Sequence, residues 1–434
     1  MKALTLSAAA FALAAGPLFA QDAPKSEADR IKDLECKVEI LSQQIEAQQT
    51  GSTPATATGG EGAFGMGAAA SKVYSANTGL SVGGYGEFLY QNFDKKLQDG
   101  TVAPMNDQFD TLRGVFYLGY KFNDRIVFNS EMEFEHSGYS DEHPEGEAIL
   151  EFAYLDFLVN KAINVRAGQV LLPLGFTNEI HEPPAVLSAS RPFVERSGGI
   201  IPTTWHENGV GLHGELPGDL SYRVYLVEGL NAAKFNAEGI TDGRQSGNKA
   251  IADRFALTGR LDWKPIPGTT AGFSFYKGSS VHSDPYGAPI SSITIPTTLL
   301  DAHVEYKASG WQLRGLYART TLGGSEVGSL GAADPAFQAG TRQWGGYLEA
   351  GYDALSRTGS KQSLIPFVRW ERMNTQAAVV AGVTADLAND QSIVTTGLSW
   401  KPIPQIAVKG DYSRVKNGAR TGRDVFSLAL GYEF

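Results

Sequence analysis

The chain closes on Phe426-Ser427-Leu428-Ala429-Leu430-Gly431-Tyr432-Glu433-Phe434, where bulky apolar or aromatic residues hold every second position and small or polar ones stand between them. A strand sends successive side chains to opposite faces, so this stretch presents one apolar face and one face of Ser, Ala, Gly and Glu. Working back from the C-terminus, the same period recurs. In residues 253–264, Phe255, Leu257, Leu261 and Trp263 oppose Arg254, Thr258, Arg260 and Asp262. In residues 111–122, Leu112, Phe116, Leu118, Tyr120 and Phe122 oppose Thr111, Arg113, Tyr117 and Lys121. Further segments pair Ile126, Phe128, Met132 and Phe134 against Arg125, Asn129, Glu131 and Glu133, and Ile406, Val408 and Tyr412 against Lys409, Asp411 and Ser413.

Alternation alone fits the half-buried sheet of a soluble sandwich as well as a membrane barrel. The connections separate the two. Tight turns at Asn123-Asp124, Lys161-Ala162, Gly218-Asp219, 265–268, Ser309-Gly310 and Ile403-Pro404 alternate with long Gly-, Pro- and polar-rich connections at 94–109, 138–146, 173–205, 231–251, 281–296, 323–340 and 375–389. Hairpin turns at one end and loops at the other are what an antiparallel barrel requires, and a sandwich has no reason to keep the rule. Residues 80–434 are therefore expected to form an all-β transmembrane antiparallel barrel of about sixteen strands, with both chain ends on the turn side. Trp263, Trp311, Trp370 and Trp400 fall near segment ends, as interfacial girdles would.

The N-terminal part divides into three. Residues 1–20 read as a signal peptide: Lys2, an apolar stretch from Leu4 to Ala15, then Leu18-Phe19-Ala20 before Gln21. Residues 21–50 carry Ile31, Leu34, Val38, Leu41 and Ile45 at coiled-coil spacing, which predicts a short helical stalk with Cys36 facing outward. Residues 51–79 have the Gly, Ala, Ser and Thr composition of a flexible linker.

Beyond the first twenty residues no stretch is apolar enough for long enough to span a bilayer as a helix. A net charge of −10 argues against nucleic-acid binding, which needs a basic surface. No catalytic, cofactor or metal signature stands out. His206-Glu207 with His213 lacks zinc-protease spacing and falls on strand pattern, and Gly83-Gly84-Tyr85-Gly86 is not followed by a helix-like segment.

A barrel of this width leaves an open bore that something must narrow. The connection 173–205 follows the sixth segment by count, is the third long loop, and holds apolar and aromatic residues unusual for a solvated loop. It is expected to fold inward as a constriction, with Arg191 and Arg196 as its basic groups and Glu179, His181, Glu182 and Glu195 as counterweights. The alternative is a loop that packs only against neighbours in an oligomer. Inward-facing basic groups are expected at Arg113, Arg125, Arg166, Arg254, Arg260, Arg314 and Arg369, nearly balanced by acids that include Glu87, Glu131, Glu133, Glu305, Glu349 and Glu371. Rows of opposite sign would create a transverse field, whereas interspersed pairs would be structural salt bridges.

Arg166-Ala-Gly-Gln169 leading into Pro173-Leu-Gly-Phe176, His181-Glu182-Pro-Pro184, Ile201-Pro-Thr-Thr-Trp205 and the terminal aromatic strand together resemble the phosphate-selective porin O and P family, over nearly the whole chain. The resemblance implies a sixteen-stranded trimeric outer-membrane barrel in which the third loop narrows the pore. It also implies that the barrel-assembly machinery reads the strand ending at Phe434, and that the N-terminal segment lies in the periplasm. Phosphate selectivity in that family rests on an arginine ladder and a lysine cluster. Here Arg191 and Arg196 stand beside several acids and no lysine cluster is visible. The expected function is passive diffusion of small hydrophilic solutes, with a lean to anions. A structural tether acting through the coiled stalk is the alternative, and a barrel enzyme a third.

Overall fold

A computed structural model describes residues 62–138, 146–283, 293–323, 327–328 and 337–434. The expected signal peptide, the coiled segment and most of the linker lie outside the described residues.

Sixteen antiparallel strands close into one barrel. The first half comprises β1 (Gly79–Phe93), β2 (Gln108–Asn123), β3 (Ile126–Glu135), β4 (Glu147–Leu158), β5 (Asn164–Leu171), β6 (His206–Leu216), β7 (Leu220–Glu228) and β8 (Phe255–Trp263). The second comprises β9 (Thr269–Val281), β10 (Thr294–Ala308), β11 (Trp311–Leu322), β12 (Arg342–Tyr352), β13 (Ser363–Ala378), β14 (Asp390–Ile403), β15 (Ile406–Asn417) and β16 (Val425–Glu433). Each strand pairs with its sequence neighbours, and β1 pairs with β16 from Tyr85↔Glu433 to Phe93↔Val425 to complete the ring. Closure pairs every ladder and leaves no open edge, the condition for strands in hydrocarbon.

The expected alternation of short and long connections holds along most of the chain; the exception is the ten-residue connection 353–362 between β12 and β13, which is longer than the seven residues 418–424 between β15 and β16. Long loops follow the odd-numbered strands because the chain starts and ends on the turn side. For the same reason the loop 173–205 follows the fifth strand, not the sixth.

The period-2 pattern becomes a sharp division of faces. In β16, Phe426, Leu428, Leu430 and Tyr432 are exposed on the outer face, while Ser427 and Ala429 are buried. In β8, Leu257, Leu261 and Trp263 face out, while Thr258 and Asp262 are buried. Trp263, Trp311 and Trp400 sit outward near the turn end, as interfacial aromatics do. Trp370 does not. It lies at mid-strand, opposite Leu348 and Val394, because β13 extends eight residues beyond it toward the loop end.

Residues 62–76 are folded, not linker-like. A short 3-10 turn (Ala63–Gly65) and α1 (Lys72–Ser75) pack against the inner wall, burying Met66, Ala69, Ala70 and Val73. Small residues allow this close approach. An ideal Cβ on Gly67 would stand 1.7 Å from a Glu182 oxygen. A two-residue period cannot reveal such a segment, because its contacts are with a wall distant in sequence.

Candidate functional site

The long connection between β5 and β6 enters the bore and is held across it. Its neck is knotted by Asn178. The amide of Asn178 donates to the carbonyl oxygens of Leu172 (2.5 Å) and Trp205 (3.0 Å), while its Oδ1 accepts the Trp205 N–H at 2.6 Å. Glu195 clasps the two limbs together by accepting from the backbone N–H groups of Phe176 (2.6 Å) and Thr177 (3.1 Å). Charge-assisted bonds of this kind are about twice as strong as neutral ones.

From this clasp the loop reaches much of the circumference. Glu179 pairs with Arg223 of β7 at 3.0 Å, and His181 Nε2 lies 3.1 Å from Glu131 of β3. The Gly175 N–H donates to Asp301 of β10, and the Gly175 oxygen accepts from Arg260 of β8. Tyr347 of β12 donates to Glu195 at 2.6 Å, and Glu371 of β13 accepts the Val194 N–H at 3.2 Å. Arg369 of β13 donates to the Ser188 hydroxyl, Lys409 of β15 to the Ser188 carbonyl, and Lys401 of β14 to the Pro184 carbonyl, at 2.6, 3.0 and 2.6 Å. Asp411 accepts the Ala189 N–H at 2.5 Å. At the β16 wall the strand must be small: an ideal Cβ on Gly431 would stand 2.2 Å from Pro183.

Arg191 and Arg196 are held by the loop itself. Arg191 donates to Thr203 Oγ1 at 2.9 Å, and the Arg196 guanidinium lies 3.5 Å from the centre of the Phe193 ring. Burial raises the carboxyl groups of Glu179, Glu182 and Glu195 above the ordinary carboxylate range; Arg223 opposes this at Glu179, His181 at Glu182 and the Tyr347 hydroxyl at Glu195.

Of the expected inward arginines, Arg113, Arg166, Arg260, Arg314 and Arg369 face the bore. Each is paired. Arg113 lies 3.4–3.6 Å from Glu87, Glu133 and Glu135, and Arg166 lies 2.8 Å from Asp156. Arg260 reaches Asp262 at 2.7 Å, Arg314 reaches Glu305 at 2.5 Å, and Arg369 reaches both Glu349 (3.0 Å) and Glu371 (2.7 Å). The charges are interspersed, not sorted into rows of one sign.

Arg125 and Arg254 are corrections. Arg125 lies exposed in the β2–β3 turn, one residue before β3 begins. Arg254 is exposed just before β8 and donates to the Asp253 carbonyl at 2.9 Å. In both cases the face was inferred correctly but carried one residue past the end of the ladder.

The wall also holds groups that the sequence did not single out. Asp156 accepts from Tyr74 at 2.5 Å and from Arg166, and lies 2.9 Å from His213, which ties the N-terminal segment to β4, β5 and β6. Between the loop and β7–β11, Arg223, Arg260, Lys307 and Arg314 share a cavity of ≈ 40 Å³ with Glu179, Asp262 and Glu305. This is a polar gap of water size inside the bore.

No protein-family model matches the chain. An uncharacterized protein of Aquifex aeolicus (strain VF5) is 35% identical over 383 residues, spanning 85% of this chain and 83% of that one. Among solved structures, the outer membrane channel DcaP of Acinetobacter baumannii matches with a TM-score of 0.54 at 11% identity, over 82% of this chain and 97% of that one. The anion-selective porin from Comamonas acidovorans gives 0.52 at 10%, over 82% and 100%. Salmonella typhi OmpF in complex with Daunomycin gives 0.52 at 12%, over 82% and 97%. At such identities the likeness is one of fold alone, a closed antiparallel barrel similar to theirs.

Proposed function

The chain belongs to one family with the Aquifex aeolicus protein, and from its closed barrel we propose that it is an outer-membrane channel for passive diffusion of small hydrophilic solutes, anions among them. The observation that carries this reading is the loop 173–205, folded across the inside of a closed sixteen-stranded barrel and bonded to β7, β8, β10 and β12–β15. A wide barrel needs such an element to set the size of what passes, and polar walls let hydrated solutes through where an apolar constriction would dewet. The lean to anions is supported by the mixed cavity, where four basic groups meet three acids. Because the arginines of the wall are neutralised by neighbours, the proposed selectivity is slight and does not extend to phosphate alone.

The resemblance to the phosphate-selective porins, a signal peptide in residues 1–20, a periplasmic N-terminal segment, a homotrimer and recognition of Phe434 by the assembly machinery belong to the same proposal. Single-channel recording in planar bilayers under a salt gradient tests it. The expected result is an ohmic pore with a reversal potential slightly on the anion side, and higher conductance when residues 185–192 are replaced by a short Gly-Ser link. A correctly folded barrel that does not conduct would overturn the reading, and clear cation preference would remove its anionic part.

A further inference from the structure

Four carboxylates meet one histidine where the loop presses on the wall of β3 and β4. Glu131, Glu133, Glu151 and Glu182 are at most 2% exposed. Among the described residues, Arg113 pairs with Glu133 at 3.6 Å but is shared with Glu87 and Glu135, while Arg191 is bonded to Thr203 and Arg244 to the carbonyl oxygens of Thr203 and Thr241. Carboxylates out of water without matching positive charge are costly, and such sites are normally paired or metal-bound.

Three details of the geometry are those of a ligand set. A β-bulge lies here: Glu131 pairs with Phe152 but Met132 pairs with Leu150, so Glu151 is the extra residue and both Glu151 and Phe152 are buried. The bulge turns toward the bore a carboxylate that regular alternation would send outward. His181 Nδ1 lies 3.1 Å from the Asn178 carbonyl oxygen and donates to it, while Nε2 stands 3.1 Å from Glu131 and 3.6 Å from Glu151; the Nε2–H donates to the Glu131 carboxylate, and a cation taking the place of that proton would meet the same three groups. Metal-bound histidines are oriented in this way by a second-shell carbonyl. Finally, neither oxygen of Glu151 accepts a hydrogen bond, and the Tyr117 hydroxyl, 3% exposed and directly across the ladder from Glu131, has no partner.

We infer that Glu131, Glu151 and His181 Nε2 bind a divalent transition-metal cation, which fastens the loop to the barrel wall. The ligand atoms lie within 4.8 Å of one another. A tetrahedral zinc site with bonds of about 2.0–2.2 Å sets its ligands about 3.4 Å apart, so the carboxylate ends need only a small inward shift. Imidazole beside two carboxylates favours Zn²⁺ or a similar first-row ion over Ca²⁺, which prefers oxygen alone. The carboxylates of Glu131 and Glu151 balance the charge of the ion, and Glu133 beside them is paired with Arg113 at 3.6 Å. The site does not depend on the channel reading, since metal content is measured without reference to conductance.

The test uses the full mature chain in detergent, stripped with EDTA and then dialysed against Zn²⁺, Mn²⁺ or Ca²⁺ separately, with metal measured by elemental analysis. The expected result is one Zn²⁺ per chain and little Ca²⁺. Glu151→Gln and His181→Gln should each weaken Zn²⁺ binding by more than about 100-fold, the upper range for loss of a mere outer-shell partner. Asp99→Asn, in the outer loop 94–107, should leave it unchanged. Zn X-ray absorption on the unaltered protein supplies a second measurement that needs no variant to fold, and should show one imidazole among oxygen ligands. No uptake by the stripped wild type, equal uptake by the two site variants, or a spectrum without imidazole would overturn the proposal.

Discussion

On β13, Val368 and Trp370 lie exposed on the outer face while Arg369 and Glu371 are wholly buried in the bore, four consecutive residues sorted by two different physical tests. Outside, each side chain is judged singly, by whether it can face hydrocarbon. Inside, no residue is judged alone. Arg369 is acceptable because Glu349, Glu371 and Ser188 stand around it, and those partners come from two strands and a loop. Single-residue physics leaves a period in the sequence, whereas pairwise physics leaves almost none.

The sharpest way to break this contrast is to remove one member of an inner cluster. Arg369→Ala leaves Glu349 and Glu371 buried without their cation, and should cost about 3–5 kcal/mol of unfolding free energy in lipid vesicles titrated with urea. A loss below 1 kcal/mol would show that the bore screens these charges as water does. The outer face is tested by Leu398→Arg on β14, which should cost about 2–4 kcal/mol in the same assay through exposure of a cation to lipid and leave channel properties intact.

The smallest effect concerns the loop clasp. Glu195 has a carboxyl pushed above its ordinary range, first by burial, against the pull of Tyr347 and two backbone N–H groups. The folded state therefore holds a proton that the unfolded chain has already lost, so stability falls as pH rises from the ordinary carboxylate value through the raised one. Below that window both states are protonated and no slope remains. Glu195→Gln should flatten the dependence, a change of at most about 1.4 kcal/mol per pH unit. An unaltered slope above the ordinary carboxylate range would mean that other groups set it.

These differences explain what could be read from the sequence. Phe426 to Phe434 gave the direction of every side chain in β16, and the turn-loop alternation gave the topology, because lipid and hairpin geometry act locally. The loop 173–205 was identifiable from its apolar content, and it lies inside the bore. What each of its charged residues touches was not, since Glu179 meets Arg223 and His181 meets Glu131 across large gaps in sequence. Arg125 and Arg254 were misplaced because periodicity does not mark where a ladder stops. Glu151 was missed because its bulge breaks the parity on which the reading relied. For residues 62–76, Phe64, Met66, Val73 and Tyr74 within a Gly- and Ala-rich stretch were the available clue, and composition outweighed them.

The seam between the first and last strands joins segments at opposite ends of the domain. Every other hairpin can form from chain already at hand, but this pairing waits for the final residues to be synthesised. A protein cut short before Val425 would not be a slightly weaker cylinder. It would be an open ribbon with two raw backbone margins in oil, and loss of ten terminal residues, the nine of β16 and Phe434, would forfeit the whole structure, since each unsatisfied amide there costs several kcal/mol.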